Sequence, residues 1–153
     1  MTAVLFSQQL LLSALPNIQF SFLLVVVYAK AFGTKETMII TFLHTVANTI
    51  LYGGFMYVLA PFMVLGYWSV IAIVNLALRR QKNSIILAIG GFIGSLTYSW
   101  ILAIPSIFIF DINWKAYMLA DIPWELILGI TSFITILLLF DPLYNVLSKH
   151  KHN

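Results

Sequence analysis

Charge is missing from long stretches of this chain, and that limits what it can fold into more than any motif does. From Thr37 to Leu78 there are 42 residues without an Asp, Glu, Lys or Arg. A membrane-spanning helix takes about 20 apolar residues, so this run is too long for one span and long enough for two. The rest of the chain agrees. Only 8% of its residues are charged and 61% are hydrophobic, with a mean hydropathy of +0.99, whereas a soluble domain carries about 25% charged residues. The 153 residues accommodate five or six spans and leave no room for a soluble catalytic or nucleotide-binding domain. The expected fold is all-α: a polytopic membrane helix bundle with six, alternatively five, transmembrane helices in a single domain covering residues 1–153.

Breakers and charges divide the chain. The first charged residue is Lys30, and Pro16-Asn17 interrupts the apolar run before it. Proline lacks a backbone donor and disfavours helix in the residue before it. This predicts helix one over Ala3–Leu15 and helix two over Ile18–Phe32; a single proline-kinked helix is the five-span alternative. Helix three is expected over Thr37–Tyr52, ended by Gly53-Gly54, and helix four over Phe62–Leu78. Helix five is expected over Ser84–Ile104, stopping at Pro105. Residues 106–121 read as a loop, with helix six starting near Asp121, where Asp121, Pro123 and Glu125 suit a helix N-terminus. Asp141-Pro142 is expected to end or kink that helix. Gly90, Gly91, Gly94 and Ser95 form a small-residue face, for packing inside the bundle or for docking another subunit. The N-terminus lacks the charged region and cleavage site of a secretory signal and reads as part of the mature protein.

Basic residues collect on the cytoplasmic side of membrane proteins. Arg79, Arg80 and Lys82, then Lys149 and Lys151, then Lys30 and Lys35, all fall on one side of a six-span chain. That places both termini in the cytoplasm of a multi-pass protein of the bacterial plasma membrane. The outer face receives Pro16–Gln19, the Gly53-Gly54 region and residues 106–121.

A polar stripe crosses helix three: Thr41, His44, Asn48 and Tyr52 share one helical face. Hydrocarbon offers these groups no partner, so the stripe faces the bundle interior. There it either lines a polar cavity or hydrogen-bonds a neighbouring helix. Amides and aromatics from the outer half join it: Asn17, Gln19, Tyr98, Trp114 and Trp124. Such a mixture suits a pocket for a small, flat, polar organic molecule, although Trp and Tyr also gather at membrane interfaces without a ligand. Enzyme signatures are missing: no HExxH, CxxC, GxSxG, Walker loop or GxGxxG occurs in the sequence. With no cysteine, thiolate chemistry is excluded. No catalytic activity, cofactor, metal or nucleic-acid partner is expected.

The segments PNIQFSFLLVVVYAKAFGTKET and APFMVLGYW, with YSWILAIPSIFIF and ADIPWE later, resemble the substrate-binding S component of energy-coupling factor (ECF) vitamin transporters over nearly the whole chain. The likeness lies in helix order, the outer proline turn and loop placement. It implies a six-helix membrane protein that captures a vitamin or related micronutrient from outside. It also implies partners: membrane lipid, a membrane coupling subunit and two cytoplasmic ATPases. Carried over by position, Pro16–Gln19 would be the outer gating loop, with Asn48, Tyr52, Trp114 and Trp124 near the ligand. One departure stands out: Ala3, Ser7 and Ala14 do not supply the alanines four apart with which helix one of the family docks on its coupling subunit.

Overall fold

A computed structural model describes residues 1–15 and 17–150, and the side chains of all of these but His150. The expectations resting on Pro16, Lys151 and His152 lie outside the described residues. The chain forms a bundle of six helices, with no strand among the described residues. They are α1 (Thr2–Leu11), α2 (Ser21–Ala31), α3 (Thr34–Tyr52), α4 (Met56–Ala72), α5 (Ser84–Phe110) and α6 (Trp114–His150). The end of α4 widens into π-helix over Ile73–Ala77. Three helical stretches are long and apolar enough to cross a membrane: Met56–Ala77, Ser84–Phe110 and Trp114–Lys149.

The centre of the bundle is α2. Its sequence, SFLLVVVYAKA, is apolar on every side, which suits a helix with neighbours all round. Every residue but Lys30 is buried. Phe22, Val25 and Tyr28 pack with Leu5, Tyr67, Val70, Ile71 and Tyr98. Leu23, Val26 and Val27 pack with Val74, Leu87, Ile136 and Phe140. The Lys30 ammonium donates to the Leu78 carbonyl at 2.6 Å, which also accepts from the Gln81 backbone N–H at 3.0 Å, and to the Arg79 carbonyl at 3.3 Å, so it reinforces the chain just past α4. Helices α1 and α2 are shorter than the sequence suggested, at 10 and 11 residues, or about 15 Å each. They form a hairpin, with the Tyr28 hydroxyl 3.5 Å from the Met1 carbonyl at its open end and the Gln8 side chain bonding Ser21 at its turn.

Prolines correct the expected boundaries in the second half. Helix α5 does not stop at Pro105 but runs on to Phe110, and α6 starts at Trp114, not Asp121, carrying Pro123 and Pro142 in its interior. The expected loop over residues 106–121 shrinks to a turn at Asp111–Asn113. Two local devices explain it. Asp111 adopts a left-handed conformation, φ 49°, closing α5. The Asn113 side chain accepts from the backbone N–H of Lys115 at 3.0 Å, an N-cap that starts α6. An interior proline costs about 3 kcal/mol, and the long contact between α5 and α6 outweighs it.

The small-residue face of α5 is used inside the bundle and is not left as a docking surface. Gly90 faces Leu78, Gly91 faces Ile136, and Gly94 faces Val70. A Cβ on Gly91 would run into the terminal methyl of Ile136, the group that valine lacks. Ile136→Val alone is therefore expected to cost about 0.5–1.5 kcal/mol, yet to raise the stability of Gly91→Ala. Thermal unfolding of the two single variants and the double variant in detergent measures this; strictly additive effects would reject the contact.

Polarity separates the two ends. Lys30, Arg79, Lys82, Asp141 and Tyr144 surround one cleft, and Lys35, Arg80 and Lys149 are nearby in sequence. At the other end Phe55 meets Phe110 with ring centroids 5.2 Å apart, and Asp111, Asp121 and Glu125 belong to that half.

Candidate functional site

The stripe on α3 divides into two chemically different sets. Thr37, Thr41, His44, Thr45 and Asn48 are all buried. The threonines are satisfied locally: Thr37, Thr41, Thr45 and Thr49 each donate to the carbonyl four residues earlier, at 2.7, 3.0, 3.0 and 2.8 Å. They need nothing from another helix. His44 and Asn48 reach across the bundle. The Asn48 amide donates to His44 Nε2 at 3.0 Å and to Gln9 Oε1 of α1 at 3.2 Å. The Tyr67 hydroxyl of α4 lies 3.5 Å from the same His44 nitrogen. Phe6 and Tyr67 meet the imidazole edge-on, at 6.3 and 5.7 Å between ring centroids.

Donation to Nε2 places the ring proton of a neutral His44 on Nδ1. That nitrogen and Asn48 Oδ1 are buried without hydrogen-bond partners. Leaving such groups unpaired is costly, and in native proteins they call for an explanation. The chain of polar groups continues past Tyr67, whose hydroxyl interacts with those of Tyr98 and Ser21. Ser21 accepts from Gln8 at 2.7 Å and donates to Gln19 at 3.1 Å. Gln8 also accepts from the Phe20 backbone N–H at 2.9 Å, just ahead of α2.

Two cavities adjoin this chain. One, of about 300 Å³, is lined by Gln9, Ser13, Asn17, Gln19, Tyr52 and Met56 among others. The second, of about 280 Å³, lies between α5 and α6 and is lined by Asn17, Gln19, Tyr98, Ser106, Tyr117 and Asp121 among others. Gln9 joins the buried chain to the first cavity and Tyr98 joins it to the second. Asn17 and Gln19 line both, and a left-handed backbone at Asn17, φ 60°, turns its amide to donate to the Trp124 carbonyl at 3.0 Å.

Of the residues singled out in the sequence, Asn17, Gln19, His44, Asn48, Tyr52 and Tyr98 come together here. Tyr52 contributes from the rim and is half exposed. The two tryptophans do not join them as expected. The Trp124 indole is 46% exposed, and what it gives the site is its backbone carbonyl. Trp114 is 60% exposed and pairs with its neighbour Lys115, 5.7 Å from the ring centre. It precedes Trp124 by ten residues, about 15 Å along the helix, because α6 starts earlier than the proline suggested.

Sequence reasoning missed Gln8, Gln9 and Tyr67. The signal was present: two adjacent carboxamides in an otherwise apolar α1, which hydrocarbon alone would not accommodate. Tyr67 gave less, lying in a helix whose aromatics pass for core. Asp121 and Glu125 also change meaning. Their expected role at the start of helix six lapses, since they lie seven and eleven residues inside α6. Among the described residues no three His, Asp or Glu side chains are grouped to hold a metal ion.

No protein-family model matches the chain, and neither a curated protein nor a solved structure is significantly similar to it.

Proposed function

We propose that the protein is the membrane-embedded substrate-binding subunit of an ECF-type importer. It captures a vitamin-like micronutrient from outside and relies on a membrane coupling subunit and two ATPases to take it in. The observation that carries this reading is the buried chain Gln9–Asn48–His44–Tyr67, which leaves an imidazole N–H and an amide oxygen without partners and opens onto two amide-lined cavities. Donors, acceptors and ring faces gathered in this way suit the capture of a small polar ligand. The cavities suit a small heterocycle. The non-helical segment 17–20 ahead of α2 suits a gate, because irregular backbone at membrane depth is tolerated where it lines a cavity.

In this reading the bundle is multi-pass in the plasma membrane, with its basic end in the cytoplasm and the cavities toward the outside. The proximity of Met1 to Tyr28 supports an N-terminus on the same side as Lys30 whether or not α1 and α2 each cross the bilayer. Reporter fusions at Thr2 and at Lys149 are expected to report the cytoplasm for both. An external signal at Thr2 with an internal one at Lys149 would reject this topology.

The functional test uses purified protein in lipid vesicles. It is expected to show no ATPase activity and to bind a micronutrient identified by mass spectrometry of the purified sample. It should not concentrate that compound without the energising partners. Accumulation by the lone protein under a proton or sodium gradient would overturn the proposal in favour of a self-sufficient small transporter.

A further inference from the structure

The cleft at the basic end of the bundle lies where the apolar runs of the chain stop. Lys30, Arg79 and Asp141 are each the first charged side chain after an uncharged run, residues 1–29, 37–78 and 126–140. Lys82 is the last before the uncharged run 83–110. The fold brings these four side chains to the wall of one cleft of about 370 Å³, between the end of α2, the segment after α4, and α6. In a bilayer, charge first appears where a helix leaves the hydrocarbon and meets the headgroups. Three of the four are cations, and none of the three forms an ion pair among the described residues, with Asp141 or with any other carboxylate. The Lys30 ammonium is held by two carbonyls and keeps its third N–H for another acceptor. The side-chain amides of Gln81 and Asn145 and the Tyr144 hydroxyl line the same cleft. Its apolar wall is Phe140, stacked on Tyr144 with ring centroids 5.4 Å and planes 13° apart.

From this arrangement we infer that the cleft binds the headgroup of an anionic phospholipid, a phosphodiester carrying hydroxyl groups as in phosphatidylglycerol. Three cations against one carboxylate leave the cleft positive, which suits a phosphate, and basic pockets between membrane helices take such headgroups. Arg79 and Lys82 supply the charge-assisted donors for the phosphate oxygens. Asp141 accepts from a headgroup hydroxyl, a donor that a bare phosphate dianion lacks. The acyl chains continue along the apolar runs that end here. A diffuse attraction of the basic end for anionic lipid would draw on Lys35 and Arg80 as much as on the cleft, whereas a built site draws on the residues that line it. The inference concerns the basic end alone and is independent of what the cavities at the other end capture.

Detergent-purified protein is titrated with dioleoylphosphatidylglycerol, dioleoylphosphatidylcholine and soluble glycerol phosphate, and binding is read by native mass spectrometry and thermal unfolding. Each basic side chain beside an anionic headgroup is worth about fivefold in affinity. Phosphatidylglycerol is therefore expected to bind at least about tenfold more tightly than phosphatidylcholine, and glycerol phosphate, without acyl chains, to bind far more weakly than the lipid. The double variant Arg79→Gln/Lys82→Gln is expected to erase the preference between the lipids. Lys35→Gln/Arg80→Gln removes the same charge from the same end outside the cleft and is expected to keep it. Should the cleft variant not fold, Lys82→Gln alone, at an exposed position, takes its place, with an expected loss of about fivefold. Equal binding of the two lipids, an unchanged preference in the cleft variant, or an equal loss in both double variants overturns the site. Glycerol phosphate binding as tightly as phosphatidylglycerol would make it a site for a free anion and overturns the lipid assignment. None of these outcomes bears on the capture reading, which the vesicle experiment tests separately.

Discussion

Asn48→Ala is expected to lower the stability of the folded protein by about 1–3 kcal/mol, because it strands one buried acceptor and takes the amide from a second, part-buried one. Those groups are His44 Nε2 and Gln9 Oε1, which share the Asn48 amide. Thr41→Ala, two turns away on the same face and equally buried, supplies the contrast. Its hydroxyl bonds only carbonyls of its own helix. Its loss removes about one methyl of buried surface, near 0.8 kcal/mol, and returns part of that through alanine's helix propensity. The effect is expected to stay within about 1 kcal/mol. Thermal unfolding midpoints of both variants in detergent make the comparison. Ligand affinity follows the same logic: with Asn48 gone, Gln9 loses its anchor at the cavity wall, and binding is expected to weaken about 5- to 150-fold. If Asn48→Ala is no worse than Thr41→Ala in either measurement, the stripe is ordinary packing and the site is elsewhere.

Gly66→Ala should be destabilising although alanine is the better helix former by about 1 kcal/mol. A Cβ at Gly66 would lie 2.6 Å from a ring carbon of Tyr98. That ring cannot swing aside. It stands edge-on to Phe22 with centroids 5.3 Å apart, and 4.7 Å from Tyr67, both fully buried. Either α4 and α5 separate or the aromatic cluster shifts, and overpacking of this kind costs about 1–3 kcal/mol. Tyr98 also lines the α5–α6 cavity, so the same substitution is expected to reduce binding there. A higher unfolding midpoint, as helix propensity alone would produce, would show that the ring has room to move.

Each of these predictions turns on something the sequence leaves ambiguous. Thr41 and Asn48 fall on one helical face and look alike in the pattern of α3. Only the neighbouring helices distinguish them, since Thr41 bonds its own backbone and Asn48 finds Gln9 across the bundle. Glu125 illustrates the same limit from the other side. Next to Asp121 and Pro123 it reads as part of a helix start, because all three residue types favour that position. The cap belongs to Asn113 instead, and the carboxylate ends up buried midway along α6. Prolines misled for a related reason. The rule that proline stops a helix rests on the local loss of a hydrogen bond and a local clash, about 3 kcal/mol. Pro105, Pro123 and Pro142 sit in long helices whose packing is worth more than that.

What the sequence determined by itself is the part that depends on composition and period. Uncharged apolar runs make the chain a bundle of helices, three of them long enough to cross a membrane. The Gly53-Gly54 break and the basic cluster at Arg79–Lys82 set where helices turn. The spacing of His44, Asn48 and Tyr52 put the polar groups on a common face, and two of the three are buried. What only the tertiary structure decided is which polar groups meet. The pairing of Gln9 with Asn48 spans 39 residues of sequence and that of Asn17 with the Trp124 carbonyl spans 107. No local rule reaches so far: a hydrogen bond depends on two groups arriving within about 3 Å of each other. That arrival is set by how α2 fills the centre and how the glycines of α4 and α5 bring the surrounding helices together.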